Sequence, residues 1–191
     1  MINEWSRLVR TVAPASPVIT LAEAKKHLRV FHDEDDADIA DMVEAATSSI
    51  EGPNGIGIAL MPQTWRLSLD YFPRQIIVPL GPVTDILDIE YVQEDGTTGA
   101  VASWRTDLDS QPCRIWPRYD ESWPVSRCEP GAVKVTFTAG YDVVPFDLKA
   151  ALKLIVGHLY EHREAVTTDA AKDLPMGVSP ILERYRVGRL A

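Results

Sequence analysis

The chain has only two cysteines, Cys113 and Cys128, in 191 residues, which excludes a disulfide framework or a four-cysteine zinc site. Each reads as a small, semi-buried side chain. No apolar run approaches the ~20 residues that cross a bilayer. The first residues, MINEWSRLVRTVAPASP, carry charge where a secretory leader needs an apolar stretch, so the chain is expected to stay in the cytoplasm. Basic residues are the minority, 19 Lys and Arg against 28 Asp and Glu, and a net charge of -9 repels phosphate backbones. There is no G-x-S-x-G elbow, no G-x-G-x-x-G and no G-K-[ST], and neither cysteine sits in a nucleophile motif. Hydrolase, transferase and nucleotide-binding chemistry therefore have no anchor. What is present, 46% hydrophobic and 25% charged residues, suits a globular chain of one domain. A chain of this size buries about 70% of its unfolded surface, so stability demands no cofactor or metal.

Proline divides the chain. Nine of the 14 prolines fall between Pro53 and Pro130, and none occurs from Val18 to Gly52 or from Phe146 to Leu174, so these two windows are expected to hold the long helices. Thr20 with Glu23 three residues on is a capping box that starts a helix at Leu21, running to about Val30. The acidic stretch HDEDDAD then supplies an N-cap and a carboxylate-rich first turn, favourable at the positive end of a helix dipole. Ile39, Met42, Val43, Ala46 and Ile50 make one apolar stripe on that second helix, and GPNGIG terminates it as a run of turn residues. TWRLSLDY alternates Trp65, Leu67, Leu69 and Tyr71 against polar neighbours as a half-buried strand does, QIIVPL and VTDILDIEYV continue it, and Asp95-Gly96 turns GAVASW back as a partner. Residues 105–131 read as irregular. AVKVTFTAGY alternates again. Pro145 restarts helix with Leu148, Ala151, Leu152, Ile155, Val156 and Leu159 on one wide apolar face. A last short helix begins at Ser179 with Pro180 in its first turn. The order predicts an α+β protein, mainly a helical bundle of two N-terminal and two C-terminal helices with an inserted antiparallel β region. The helices lie within 20–52 and 145–187 and the insertion at about 62–140 of a single domain, 1–191.

Three groups of residues invite a functional reading. HLYEH puts His158 and His162 four residues apart with Glu161 between them, the H-x-x-E-H pattern of inverted zinc peptidases. A zinc-dependent hydrolase is thus the alternative class. It needs a third protein ligand, for which Glu183 is the sole glutamate beyond Glu164, so the same helix face also fits a solvated or intersubunit surface, and no metal or cofactor is assigned. Asp33, Glu34, Asp35, Asp36, Asp38 and Asp41 form an acidic face. They lack the spacing and central glycine of a calcium loop, and residues 30–60 hold eight Asp or Glu with no Lys or Arg. RIWPRYDESWP sets Trp116 and Trp123 among prolines and arginines. Stacking on nucleic acid would want that mixture, but with so acidic a chain these aromatics are expected at a protein interface, whereas Trp65 is expected in the core.

The strings ITLAEAKKHLRV, QTWRLSLDYFP, RIWP, VKVTFTAGY, LKAALKLIVGHLYEHRE and LPMGVSPILERYRV, in this order over residues 17–187, resemble the head-tail connector, or adaptor, family of long-tailed bacteriophages and gene transfer agents. The resemblance implies a non-enzymatic virion-type protein. It implies a ring of adaptor subunits, a dodecamer, docked below the portal protein, with a tail-side stopper or tail-completion protein beneath it and DNA passing through the bore without sequence-specific binding. It implies assembly in the host bacterial cytoplasm and a final place in the particle neck, with no membrane. The C-terminal segment is then the candidate portal-docking element. Ile181, Leu182 and Tyr185 supply its apolar face, and Arg184, Arg186 and Arg189 stand against Glu183 alone in a chain of opposite net sign.

Overall fold

The computed structural model of the chain describes residues 7–162 and 177–187. In chain order the elements are β1 (Leu8–Val12), α1 (Leu21–Leu28), α2 (Asp36–Ile50), β2 (Gln63–Leu69), β3 (Ile76–Val78), β4 (Val83–Val92), β5 (Thr98–Ala100), β6 (Trp104–Asp107), β7 (Cys113–Pro117), β8 (Val133–Ala139), α3 (Phe146–Glu161) and α4 (Val178–Tyr185). Four helices of 8, 15, 16 and 8 residues stand beside eight strands in two antiparallel sheets. The expectation of a mainly helical bundle is therefore corrected: the protein is α+β, with strand nearly matching helix. Three strands account for the difference. β1 precedes the first helix, and β6 and β7 lie in the stretch read as irregular. At 4 and 5 residues, β6 and β7 are too short to display an alternation of their own, and β7 is also preceded by Pro112 and ends at Pro117.

Two hydrophobic cores organise these elements. One is helical and joins Ile39, Val43, Ala46 and Ile50 of α2 to Leu148, Ala151, Leu152, Ile155 and Val156 of α3, with Val178 and Leu182 of α4. The apolar stripes at helical spacing predict the α2 and α3 residues of this core, whereas Val178 precedes the expected start of the last helix at Ser179. The Thr20–Glu23 capping box forms in both directions, with the Glu23 N–H donating to Thr20 Oγ1 at 3.2 Å and the Thr20 N–H donating to Glu23 Oε2 at 3.0 Å. The Thr20 backbone donor is the main reason the Glu23 carboxyl lies below its usual range. A carboxyl depressed in the folded state contributes stability that is present above its unfolded pKa and lost as pH falls through the folded one. Glu23→Gln is accordingly expected to flatten the acid limb of the stability profile below about pH 4.5 while leaving the neutral limb within ~0.5 kcal/mol. Thermal melts from pH 2 to 7 check this, and an unchanged acid limb would contradict it.

The second core lies between the two sheets. In the five-stranded sheet the order is β1-β2-β8-β4-β5, and in the three-stranded sheet it is β3-β7-β6. Trp65 and Leu67 of β2, Val133, Val135, Phe137 and Ala139 of β8, and Ile86 and Ile89 of β4 meet Ile76 and Val78 of β3 and Cys113 and Ile115 of β7. Two expectations change here. QIIVPL does not continue the first sheet, because Ile76–Val78 pairs with Cys113–Ile115 in the second. Tyr71 lies beyond the end of β2 and is exposed, so the inward alternation stops at Leu69. Phe137, fully buried at the centre, is paired on either side with Trp65 and Ile86. Phe137→Ala is expected to cost about 3–5 kcal/mol, and a urea midpoint shift worth less than ~1 kcal/mol would remove it from the core.

The junction between the halves is built on the residues after α2. A Cβ at Gly55 would lie 1.9 Å from the Ile50 carbonyl oxygen, so only glycine lets the chain fold back over the helix end. Glu51, itself buried, accepts hydrogen bonds from the Leu60 N–H at 2.7 Å and from Gln63 Nε2 at 2.8 Å, tying the end of α2 to the start of β2.

Candidate interaction surfaces

The C-terminal helix α4 lies back along α3. Gly177 sits beside Leu154, 3.8 Å from its Cβ position to Leu154 Cδ1, and the other end of α4 meets Asp147 in the first turn of α3. Its inward residues belong to the helical core: Val178 and Leu182 are buried and Ile181 and Tyr185 half-buried. The Tyr185 hydroxyl donates to both Asp147 oxygens, at 2.8 and 3.0 Å, and Arg184 Nη2 lies 2.9 Å from Asp147 Oδ2. That carboxylate acceptor, more than burial, holds the Tyr185 hydroxyl above its ordinary pKa. Arg186 pairs with Glu183 at 3.0 Å. The Val187 N–H donates to the Ile56 carbonyl at 3.0 Å, which closes the C-terminal segment onto the loop after α2. Arg184 and Arg186 nevertheless remain exposed on the outer side, and Arg189 lies outside the described residues.

The six acidic residues singled out in the sequence occupy one end of the helical half and do different things. Lys25 Nζ lies 2.6 Å from both Asp33 Oδ1 and Asp36 Oδ1, and that ammonium depresses the Asp33 carboxyl. Asp35 stands at the N-cap of α2 but makes no side-chain cap bond, contrary to expectation. Its carboxylate instead accepts the Tyr160 hydroxyl at 2.7 Å, a bond from α3 that sequence spacing cannot show. Glu34, Asp38 and Asp41 are exposed.

The proline-braced aromatics divide similarly. Trp123 stacks on Phe72 with ring centroids 5.1 Å apart and planes 10° from parallel, and Phe72 meets Tyr91 edge-on at 5.6 Å. Trp116 is half-buried on β7, opposite Arg105 in register. The fully displayed aromatic of this region is Tyr119, 74% exposed, with the Arg105 guanidinium 6.0 Å from its ring centroid. Sequence reasoning passed over it, as it passed over Phe31 and Phe146, which are 91% and 87% exposed. The available signal was position: Tyr119 stands directly before Asp120 and Glu121, Phe31 is separated only by His32 from the acids that begin at Asp33, and Phe146 follows Pro145 at a helix start.

His158 lies in the last turn of α3 and His162 is the residue that caps its end, with ring centroids 4.4 Å apart, and His162 Nδ1 lies 3.0 Å from the His158 carbonyl oxygen. Among the described residues no group of three or more His, Cys, Asp or Glu is placed to hold a metal ion. Cys113 is buried, and desolvation, ahead of the Asp107 charge, pushes its thiol up to about 11, which leaves it a packing residue. No helix among the described residues is long and apolar enough to cross a membrane.

No family model and no curated protein matches the chain. Solved structures do. The neck of an empty gene transfer agent particle, computed with C6 symmetry, contains a chain 26% identical to this one, with a TM-score of 0.79 over 96% of this chain and 97% of that one. The virion of a native gene transfer agent particle contains one at 27% identity and a TM-score of 0.77, and the neck of the native particle, computed with C12 symmetry, one at 27% and 0.76, each with the same coverage. These counterparts are structural parts of particles. The resemblance to head-tail connector proteins carried by the sequence strings is thus also a resemblance of fold, and the chain shares the architecture of a gene transfer agent neck protein over 96% of its length.

Proposed function

We propose that the chain is a structural adaptor of the head-tail neck, one of a ring of copies that docks below a portal protein and carries the tail-side stopper or tail-completion protein. The observation that carries this reading is the likeness over nearly all of both chains to neck proteins, at a TM-score of 0.76–0.79. The C6 and C12 symmetries of those necks support a ring, for which twelve copies is the proposed number. The protein is made in the host bacterial cytoplasm and ends in the neck, where DNA crosses the bore unread. The acidity of the chain favours that passage, because carboxylates keep a polyanion from adhering to the wall.

Within this reading α4 is the portal-docking element. Ile181, Leu182 and Tyr185 seat it on its own bundle, and Arg184, Arg186 and Arg189 present guanidinium groups to carboxylates of the portal. The exposed acids Asp33, Glu34, Asp38 and Asp41, with the half-buried Asp35 and Asp36 beside them, are the complementary face for a neighbouring basic surface. Trp116, together with Tyr119, faces a partner, whereas Trp123 supports that loop from beneath. Particles produced without this chain are expected to have heads that are filled but tailless and leaky, and the wild-type gene supplied in trans restores tails. Normally tailed particles in its absence would sink the adaptor reading. The loop has its own test. Trp116→Ala with Tyr119→Ala is expected to reduce incorporation into particles at least tenfold with the melting temperature nearly unchanged, as truncated interface aromatics commonly cost ~2 kcal/mol or more. Full incorporation of that double variant would remove the loop from the interface.

A further inference from the structure

The outward face of the five-stranded sheet is charged in an ordered way. Alternation sends Thr64, Arg66 and Ser68 of β2 and Lys134, Thr136 and Thr138 of β8 outward, and all are exposed or half-buried. β4 departs from strict alternation. Its register with β8 slips between Val83 and Asp85 and again between Ile86 and Asp88, so that Val83, Ile86 and Ile89 point inward at a spacing of three. Each bulge adds an outward residue. The outer side of β4 therefore carries Thr84, Asp85, Leu87, Asp88 and Glu90, with Leu87 49% exposed. On the other side of β8, Arg66 stands outward beside Val9 of β1, which is 50% exposed. Arg66 makes no ion pair among the described residues, and its Nε is enclosed without a hydrogen-bond partner. In one row across the sheet, Arg66, Thr136 and Asp88 are register partners, so the cation and the carboxylate stand one strand to either side of Thr136.

We infer that this face binds a second copy of the same chain, sheet on sheet, about a two-fold axis running along β8. A two-fold contact must be complementary to itself, so that whatever lies on one side of the axis meets what lies on the other. An axis along β8 carries Arg66 of each copy over Asp88 of the other and brings Val9 beside Leu87. An axis across the strands would instead bring the basic side onto the basic side. The outward threonines near the axis are short enough for the ~10 Å separation of aligned sheets. Lys134, at the end of β8, has Glu90 opposite it in register, so each copy balances that charge itself. Five strands at ~4.8 Å and about seven residues of length give roughly 500 Å² per copy, near 1,000 Å² in all. This is the lower limit for a specific contact, so the dimer is weak and suits free subunits that later separate.

Sedimentation velocity on the free protein between ~1 and 200 μM is expected to show a reversible monomer–dimer equilibrium weakened at 1 M salt. Arg66→Glu and Asp88→Arg should each weaken association at least tenfold, and combining them should restore most of it. A monomeric wild type, unaffected single variants, or a combined variant that stays monomeric would each overturn the inference. Should Arg66→Glu fail to fold, Thr136→Cys in a Cys128→Ser background provides the second measurement. A short bismaleimide is expected to link two copies through position 136, and absence of that cross-link at 200 μM overturns the axis.

Discussion

Removing residues 178–191 is expected to lower the melting temperature by about 10 °C and also to abolish incorporation into particles. Both effects follow from α4 having two sides. Val178, Leu182 and Val187 are 0%, 6% and 3% exposed, and the deletion uncovers the α3 surface beneath them. Burial of such side chains is worth ~1.5–3 kcal/mol each, and part of that returns as the freed backbone regains its entropy, leaving a net loss of about 3–4 kcal/mol. At ~2–4 °C per kcal/mol for a chain of this size, the midpoint falls by the stated amount. The outer side is tested separately by Arg184→Ala, Arg186→Ala and Arg189→Ala together. These groups are exposed where described, so the triple variant should melt within a few degrees of wild type while portal capture falls at least tenfold. Calorimetry and pull-down with purified portal check both variants. Portal binding retained by the triple variant would move the docking element elsewhere, and an unchanged melting temperature of the deletion would mean that α4 is not held by its own bundle.

The second large effect is expected from Glu51→Ala. The Glu51 carboxylate is the acceptor for two donors in a buried place, the Leu60 N–H and the Gln63 amide, and Arg10 Nη1 stands 3.9 Å from its other oxygen. Alanine leaves both donors enclosed and unpaired, at ~1–3 kcal/mol each, for a total loss of about 3–4 kcal/mol. Glu51→Gln keeps an acceptor oxygen and should lose no more than about half as much. Urea unfolding measures both. A loss below ~1 kcal/mol for Glu51→Ala would show that water satisfies these donors and that the junction between the two cores is looser than its hydrogen bonds imply.

Legibility followed the range of the interactions. The capping box, the stripes of α2 and α3 and the alternation of β2 and β8 are local patterns of period 3.6 or 2, and each is readable without knowing its partner. β1, β6 and β7 are not, because a strand of 4 or 5 residues exists through the strand beside it. β4 is a mixed case. Its inward residues recur every three positions, a spacing that two bulges create and that no single strand period describes. The candidate surfaces divide in the same way. Sequence composition identified the arginines near the C-terminus and the acids before α2, but the bond from Tyr160 to Asp35 and the stacking of Trp123 on Phe72 join residues far apart in the chain. Which member of an aromatic cluster turns outward is decided by those distant partners, which is why Tyr119 rather than Trp123 is displayed.

The Val187 N–H donating to the Ile56 carbonyl sets an order of events during synthesis. The β half is complete once Ala139 has been made, because every strand among the described residues lies at or before it. The helical half is divided around it: α1 and α2 are made first, and the helices that cover their apolar stripes come last. During synthesis, therefore, Ile39, Val43 and Ala46 wait uncovered while more than a hundred residues are added, and the clasp at Val187 forms only after α4 has been made. A copy that lacks α4 keeps an open apolar groove over α3, so making α4 is the step that closes the helical core.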